Sequence, residues 1–243
     1  MSENGLAIIG KNRLAEELLD LSRAQGFQAA LFADSKQDFL KTSLVIETLA
    51  GGNEKRELLK ELDDRLPPSS VILTSCLGFA TTEIASWTRT PERVAGFATF
   101  YPLKEKKVIE LTGGLRTQGE ALERAEGFFH ALGKETAKVK DAAGLVFPRV
   151  LSLIINQAAR TLDEGVASAE EIDTAMRLGT NYPLGPLRWA DLIGIDEVLA
   201  VLEGLERETG DDRYRPAPVL RKMVQAGWLG EASGRGFYLY PAK

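Results

Sequence analysis

The segment NYPLGPLRWADLIGID, residues 181–196, decides the fold class of the C-terminal part of this chain. Its Pro-Leu-Gly-Pro run ends any helix before it, because proline lacks the N–H donor that a helix interior needs. The ADLIGID run that follows predicts the start of a new helix, with Asp191 near its N-terminus, where the helix dipole favours a carboxylate. A second motif, GRGFYLY, lies at residues 234–240. Both motifs are too specific to arise from composition alone.

The residues before this segment carry helical periodicity. Apolar residues recur over positions 150–164 at the spacing of an amphipathic helix, and Gly165 follows its end. Ser168 and Glu171 have the spacing of a capping box, which predicts that another helix begins there. We therefore predict an all-α domain over residues 143–243.

The first half of the chain alternates short apolar runs with amphipathic segments. Strands are predicted at 6–9, 29–32, 44–46, 71–74, 94–97, 108–111 and 137–140. Helices are predicted at 14–24, 54–66 and 119–132. Strands that alternate with helices are typical of a doubly wound, mostly parallel sheet. The prediction is a shortened Rossmann-like domain over residues 1–142.

Composition restricts the class of protein. The chain has 243 residues, 44% hydrophobic residues and a net charge of −5, so it has no basic surplus for binding nucleic acid. With one cysteine, Cys76, and one histidine, His130, neither a disulfide nor a metal site is expected. No apolar run is long enough to span a membrane and no signal peptide is recognisable, which favours a cytoplasmic protein without a membrane partner.

Together with GDDRYRPAPVLRKMVQAGWLG at residues 210–230, the two C-terminal motifs resemble the C-terminal domain of 3-hydroxyacyl-CoA dehydrogenases (3-hydroxybutyryl-CoA dehydrogenases). The chain is similar to a divergent, shortened member of that family, whose enzymes oxidise (S)-3-hydroxyacyl-CoA to 3-oxoacyl-CoA with NAD in fatty acid metabolism. The resemblance implies an acyl-CoA-type ligand, NAD and no metal. It also implies a homodimer formed through the C-terminal domain. Apolar candidates for that interface, which core burial would explain equally well, are Leu151, Ile154, Ile155, Leu192, Ile193 and Val198.

The family's dinucleotide-binding turn is altered here. The G-x-G-x-x-G pattern corresponds to Gly10, Asn12 and Ala15, so a side chain stands at the position where the pyrophosphate needs bare backbone. Asparagine tolerates a left-handed backbone, which would preserve the turn. The resemblance places Asp34 next to the position of the ribose-binding carboxylate, and Glu47 in the loop after the third strand. A turn-forming role is the more common one for Asp34.

Two further features bear on cofactor and CoA binding. The family carries a long helical insertion that contributes to binding the CoA tail, whereas residues 34–44 leave little room for one. Lys11 and Arg13 could instead hold a phosphate by charge, although such residues at a helix start are usually solvated.

Five of the family's polar site positions can be placed on the chain. The SCLGF motif puts Leu77 at the serine that contacts the substrate oxygen. The GFATFYP motif puts Ala98 at the catalytic histidine and Tyr101 at a nearby asparagine. The KVIE motif retains Glu110, which orients that histidine in the family. The GLVFPR motif puts Pro148 at an asparagine that faces the substrate.

These replacements predict lost or impaired catalysis, because a positioned general base is worth about 10²–10⁴-fold in rate. The chain would then act as a dimeric scaffold or acyl-ligand-binding protein. Two alternatives stay open: an active dehydrogenase or reductase that uses Glu110 and Tyr101, and a related β-hydroxyacid or imine reductase. His130 is expected to be a surface residue at a helix end, outside the site, and Cys76 a small buried residue.

Overall fold

The computed structural model describes residues 5–36 and 39–241. Its contacts divide the chain into two compact units, Met1–Val146 and Phe147–Lys243. The sequence-based boundary lay after residue 142. Each unit is described by itself.

The first unit contains a seven-stranded sheet, counted over the residues described. Its strands are β1 Gly5–Ile9, β2 Ala29–Phe32, β3 Thr42–Glu47, β4 Val71–Ser75, β5 Val94–Ala98, β6 Val108–Gly113 and β7 Glu135–Lys138. Their order is β2-β1-β3-β4-β5-β6-β7. All neighbouring pairs are parallel except β5 and β6. This confirms the predicted Rossmann-like, mostly parallel sheet.

The direction of β6 was not predicted from the sequence, and the bounds of the last strand differ from the prediction. The pairing of β5 with β6 is antiparallel, because the connection over residues 99–107 contains no crossover helix that could return the chain for a parallel strand. The last strand begins at Glu135 rather than 137, since the turn at Gly133 (φ 73°) leads directly into pairing with Val108.

Among the described residues of this unit, four α-helices accompany the strands: α1 Arg13–Ala24, α2 Gly52–Arg65, α3 Thr81–Ala85 and α4 Gly119–Ala131. The apolar faces of α1 and α4 pack against the sheet, where Leu14, Leu18 and Phe129 join one cluster of buried side chains. The connection between β2 and β3 is short, as predicted, and the buried ring of Phe39 lies 5.7 Å from that of Phe32.

The second unit is helical, as predicted. Its helices are α5 Phe147–Asp163, α6 Ala169–Thr180, α7 Pro186–Ile193, α8 Ile195–Thr209 and α9 Pro218–Gln225. The helix α5 is central and packs against α7, α8 and α9. The capping box of Ser168 and Glu171 is confirmed. Four of the proposed interface residues, Leu151, Ile155, Ile193 and Val198, are buried within this chain, which favours the core interpretation for them.

The position of Asp191 in the 181–196 segment differs from the prediction. Pro186 begins α7, since the fixed φ of proline suits the first helical position, and Asp191 therefore lies in the last turn of that helix. Its carboxylate accepts hydrogen bonds from Phe237 N and Tyr238 N, each at 2.9 Å, and from Tyr240 Oη at 2.9 Å. Asp191 thus joins the segment 181–196 to the motif at residues 234–240.

Burial raises the pKa of Asp191, and these donors, together with the charge of Arg188, oppose the rise.

In the part of the chain that the structure describes, no helix is long and apolar enough to cross a lipid bilayer.

Candidate active site at the carboxyl edge of the sheet

The strand order places a topological switch point at the carboxyl ends of β1 and β3. The chain leaves these two neighbouring strands toward opposite sides of the sheet, and open α/β sheets bind their ligands at such a switch point. The turn after β1 and the loop after β3 therefore form the expected cofactor end of the site.

Gly10 is required at this turn by close packing. A Cβ atom added to it would overlap the Oγ1 atom of Thr48 and lie 3.1 Å from Cβ of Ala15. Gly10 therefore keeps the tight turn that the first position of the dinucleotide pattern provides, and Ala15 serves the third position with its small side chain.

Asn12 does not have the expected left-handed backbone, because it is the N-cap of α1, with φ −101° and ψ 166°. Its Oδ1 accepts hydrogen bonds from Ala15 N at 3.0 Å and from Thr48 Oγ1 at 2.9 Å. Its Nδ2 donates to the carbonyl of Thr48 at 3.0 Å. The side-chain amide of Asn12 is thus hydrogen-bonded to Thr48, the residue that follows β3.

Glu47 lies at the end of β3 and is fully buried. Its carboxylate forms an ion pair with Lys55, whose side chain is also fully buried, and accepts hydrogen bonds from Thr74 Oγ1 at 2.6 Å and Leu49 N at 2.5 Å. Lys55 Nζ also donates to the carbonyl of Leu49 at 2.9 Å. The pair fixes the start of the loop after β3, and Glu47 is not exposed to a ligand.

Sequence reasoning missed Lys55, because a lysine in a charged helix is usually solvated. Its proximity in the chain to the retained Glu47 was the available signal. Asp34 follows the turn-forming interpretation, since its Oδ1 accepts a hydrogen bond from Lys36 N at 2.9 Å.

Tyr101 contacts Arg13, the first residue of α1. Its hydroxyl accepts a hydrogen bond from Nη2 of Arg13 at 2.9 Å, and the guanidinium carbon lies 3.9 Å from the ring centroid. The surrounding loop is held by Glu17, which accepts from Leu103 N at 2.5 Å and Lys104 N at 2.9 Å. The phenol therefore stands beside a cation at the start of α1.

Lys134 is buried, and its ammonium group also binds the loop after β5. Its Nζ donates to the carbonyls of Leu103 at 3.0 Å, Lys104 at 3.2 Å and Lys106 at 2.8 Å. Sequence reasoning also missed Lys134 and Glu17, because their partners are backbone groups of a loop that no periodic pattern identifies.

Ala98 and Glu110 are directly paired across the antiparallel strands β5 and β6. Side chains at such paired positions lie on the same face of the sheet, with Cβ atoms about 4.5–5.5 Å apart. Ala98 is 2% exposed. Leu77, two residues after the end of the neighbouring strand β4, is fully buried. Glu110 accepts a hydrogen bond from Val146 N at 2.8 Å.

The remaining predicted positions differ in their burial. Cys76 is fully buried, its Sγ lies 3.0 Å from Thr81 Oγ1, and burial raises the pKa of its thiol to about 12. His130 is exposed in the last turn of α4 and contacts Thr136. Pro148 is buried in the first turn of α5, in the second unit. Among the residues described, no cluster of three or more His, Cys, Asp or Glu side chains could hold a metal ion.

Family models match both halves of the chain. Residues 8–142 match the 3-hydroxyacyl-CoA dehydrogenase, NAD binding domain, and residues 144–240 match the 3-hydroxyacyl-CoA dehydrogenase, C-terminal domain.

Individual proteins show the same similarity. A probable 3-hydroxybutyryl-CoA dehydrogenase of Bacillus subtilis is 42% identical over 201 residues, covering 82% of this chain and 70% of that protein. The 3-hydroxybutyryl-CoA dehydrogenase of Bradyrhizobium diazoefficiens is 35% identical over 244 residues, covering 98% and 83%. The crystal structure of (S)-3-hydroxybutyryl-CoA dehydrogenase PaaH1 from Ralstonia eutropha superimposes with a TM-score of 0.80 at 30% identity, covering 99% and 100%.

Proposed function

Because this chain belongs to the 3-hydroxyacyl-CoA dehydrogenase family, we propose that it is a member with lost or impaired catalysis that acts as a dimeric scaffold or acyl-ligand-binding protein. The observation that supports this proposal is the pairing of Ala98 with Glu110. In the family a histidine stands at the position of Ala98 and takes the proton of the substrate hydroxyl. A methyl group can neither accept nor donate that proton, and it leaves Glu110 without an imidazole to orient.

The other replacements act in the same direction. At Leu77 an aliphatic side chain replaces the hydroxyl that contacts the substrate oxygen in the family, and it is fully buried. Pro148 replaces an amide that faces the substrate. Loss of the base alone lowers the rate by about 10²–10⁴-fold, and loss of the oxygen-binding groups adds to that deficit.

Cofactor binding is a separate property from catalysis. The first unit is the family's NAD-binding domain. Bound there, NAD would accept the hydride of a 3-hydroxyacyl group. The residues proposed to hold it are Gly10, Asn12 and Ala15 at the turn, with Asp34, whose Oδ1 also accepts from Lys36 N, at the ribose. Glu47 would contribute only by fixing the loop after β3, because its carboxylate is buried against Lys55.

The alternative is an active dehydrogenase or reductase that uses Glu110 and Tyr101. The names of the similar proteins favour it, and so does the retained glutamate. Tyr101 would donate a proton in the reductive direction, as tyrosine does in other dehydrogenase families. Its hydroxyl is the acceptor of the Arg13 hydrogen bond, so its own proton remains available for donation.

A combined binding and turnover measurement tests these proposals. NADH and acetoacetyl-CoA binding are measured by calorimetry, and NADH formation from (S)-3-hydroxybutyryl-CoA is followed by absorbance. The first proposal expects ligand binding without appreciable turnover, and robust NADH formation would contradict it. The alternative expects turnover that Glu110→Gln and Tyr101→Phe each abolish. Sedimentation velocity tests the dimer, which a monomer at micromolar concentration would contradict.

A further inference from the structure

The last residues of the first unit are bound to the carboxyl edge of the sheet at several points. Asp141 accepts hydrogen bonds from Thr81 N at 2.6 Å and Thr82 N at 2.8 Å, the first two residues of α3. Gly144 N donates to the carbonyl of Cys76 at 2.7 Å, just after β4. Residues 141–146 therefore follow a defined path across the strand ends.

Glu110 provides the last of these attachments. Its Oε2 accepts a hydrogen bond from Val146 N at 2.8 Å, at the final residue of the unit. The two residues before Val146 both have positive φ angles, 68° at Gly144 and 44° at Leu145. That conformation is unfavourable for a residue with a side chain, so Leu145 needs fixed attachments on both sides to keep it.

We propose that Glu110 is a positioning residue for the backbone of residues 141–146, and that it is retained for this role in a chain without the histidine. The pairing with Ala98 leaves no imidazole on the opposite strand, whereas the amide of Val146 is within hydrogen-bonding distance. The next residue, Phe147, begins α5, so Glu110 fixes the point from which the chain leaves the first unit. This role requires neither cofactor nor substrate and is independent of the proposed function.

Two substitutions separate an acceptor oxygen from a carboxylate charge. Glu110→Gln keeps an oxygen that can accept from Val146 N, whereas Glu110→Met has similar length and no acceptor. Hydrogen exchange of the Val146 amide in the full chain is the readout. We expect exchange to become at least about tenfold faster in Glu110→Met and to stay within about threefold in Glu110→Gln, since an amide without its acceptor opens more readily.

Matched controls come from the neighbouring strand. Glu135 is exposed on β7, and Glu135→Met and Glu135→Gln should leave the exchange of Val146 unchanged. Amides of β1 report global opening and should not accelerate with Val146. If Glu110→Met does not fold, Glu110→Asp replaces it, because the shorter carboxylate keeps the charge while withdrawing the oxygen. Slow exchange of Val146 in Glu110→Met or Glu110→Asp would overturn the proposal, as would equally fast exchange in Glu110→Gln.

Discussion

Arg13 and Tyr101 form a stacked and hydrogen-bonded pair between the first helix and the loop after β5. Nη2 of Arg13 lies 2.9 Å from the Tyr101 hydroxyl, and the guanidinium lies over the ring. An arginine over an aromatic face contributes about 0.5–2 kcal/mol, depending on how far it is desolvated. The pair therefore links the start of α1 to the loop after β5, close to the position at which the family carries a histidine.

This pair predicts graded effects on stability. Tyr101→Phe keeps the stacking and loses the hydrogen bond, so the free energy of unfolding should fall by about 0.5–1.5 kcal/mol. Arg13→Met loses both interactions and should cost more. Lys11→Met is the control, because the ion pair of Lys11 with Glu54 is exposed and should be worth less than about 1 kcal/mol. Urea denaturation of the three variants measures these differences, and equal effects at Arg13 and Lys11 would contradict the coupling.

The proposed loss of catalysis predicts that restoring the family's groups restores activity. The triple variant Leu77→Ser, Ala98→His, Pro148→Asn returns the family's groups and places an imidazole opposite Glu110. We expect kcat/KM for (S)-3-hydroxybutyryl-CoA to rise by at least about 10²-fold, the lower range of general-base catalysis. The larger side chain at buried position 98 should lower the stability by about 1–3 kcal/mol.

The control for that experiment is Glu110→Gln in the triple variant. It should remove most of the gained activity, because the imidazole would lose the carboxylate that orients it. A triple variant that folds, binds NADH and remains inactive would show that the replacements at these positions do not limit the reaction.

The thiol of Cys76 should be unreactive in the folded protein. Burial raises its pKa to about 12, and the thiolate is the reactive form. Labelling with an aromatic disulfide reagent at about pH 8 should be undetectable in the native state and stoichiometric in guanidinium chloride. As the chain contains one cysteine, the labelling rate reports opening of the region between β4 and α3. Rapid native labelling would contradict the buried position.

Asp63 should make stability depend on acidic pH. Burial alone would raise the pKa of Asp63, but hydrogen bonds from Thr90, Arg93 and the amide of Arg89, with the charge of Arg93, outweigh it and lower the pKa below its ordinary value. A lowered folded-state pKa gives stability that is present above the ordinary pKa and is lost as pH falls through the folded value.

Replacing Asp63 with Asn therefore tests this dependence. Asp63→Asn should cost about 3–5 kcal/mol at neutral pH, because the guanidinium of Arg93 stays buried without its counter-charge. The difference from the unsubstituted protein should shrink below about pH 4. Urea denaturation at both pH values measures it, and a difference that is independent of pH would exclude this coupling.

The fold was largely predictable because apolar periodicity is local. Both domain classes, the capping box and most elements follow from spacing within short windows. The direction of β6 does not follow from local spacing, because the apolar pattern of a strand is the same in parallel and antiparallel pairs. The absence of a crossover helix between β5 and β6 was the one indication that they are antiparallel. The position of Asp191 was misjudged because proline both ends one helix and begins the next.

At the site, the sequence predicts which of the family's groups are replaced, but it does not show how the remaining ones are used. Ala98, Leu77 and Glu110 could be placed from the surrounding motifs. The inward amide of Asn12, the burial of Glu47 against Lys55 and the bond from Val146 to Glu110 depend on tertiary neighbours. Such partners lie many residues away and leave no periodic signature.

The hydrogen bonds from residues 237–240 to Asp191 also constrain the order of events during synthesis. A nascent second unit lacks the donors for this buried carboxylate until residues 237–240 have left the ribosome. The first unit needs no residue beyond Val146 for the attachments described and can close its sheet earlier. The helical half therefore completes its folding only after these residues have emerged, with its α7 carboxylate open to water until then.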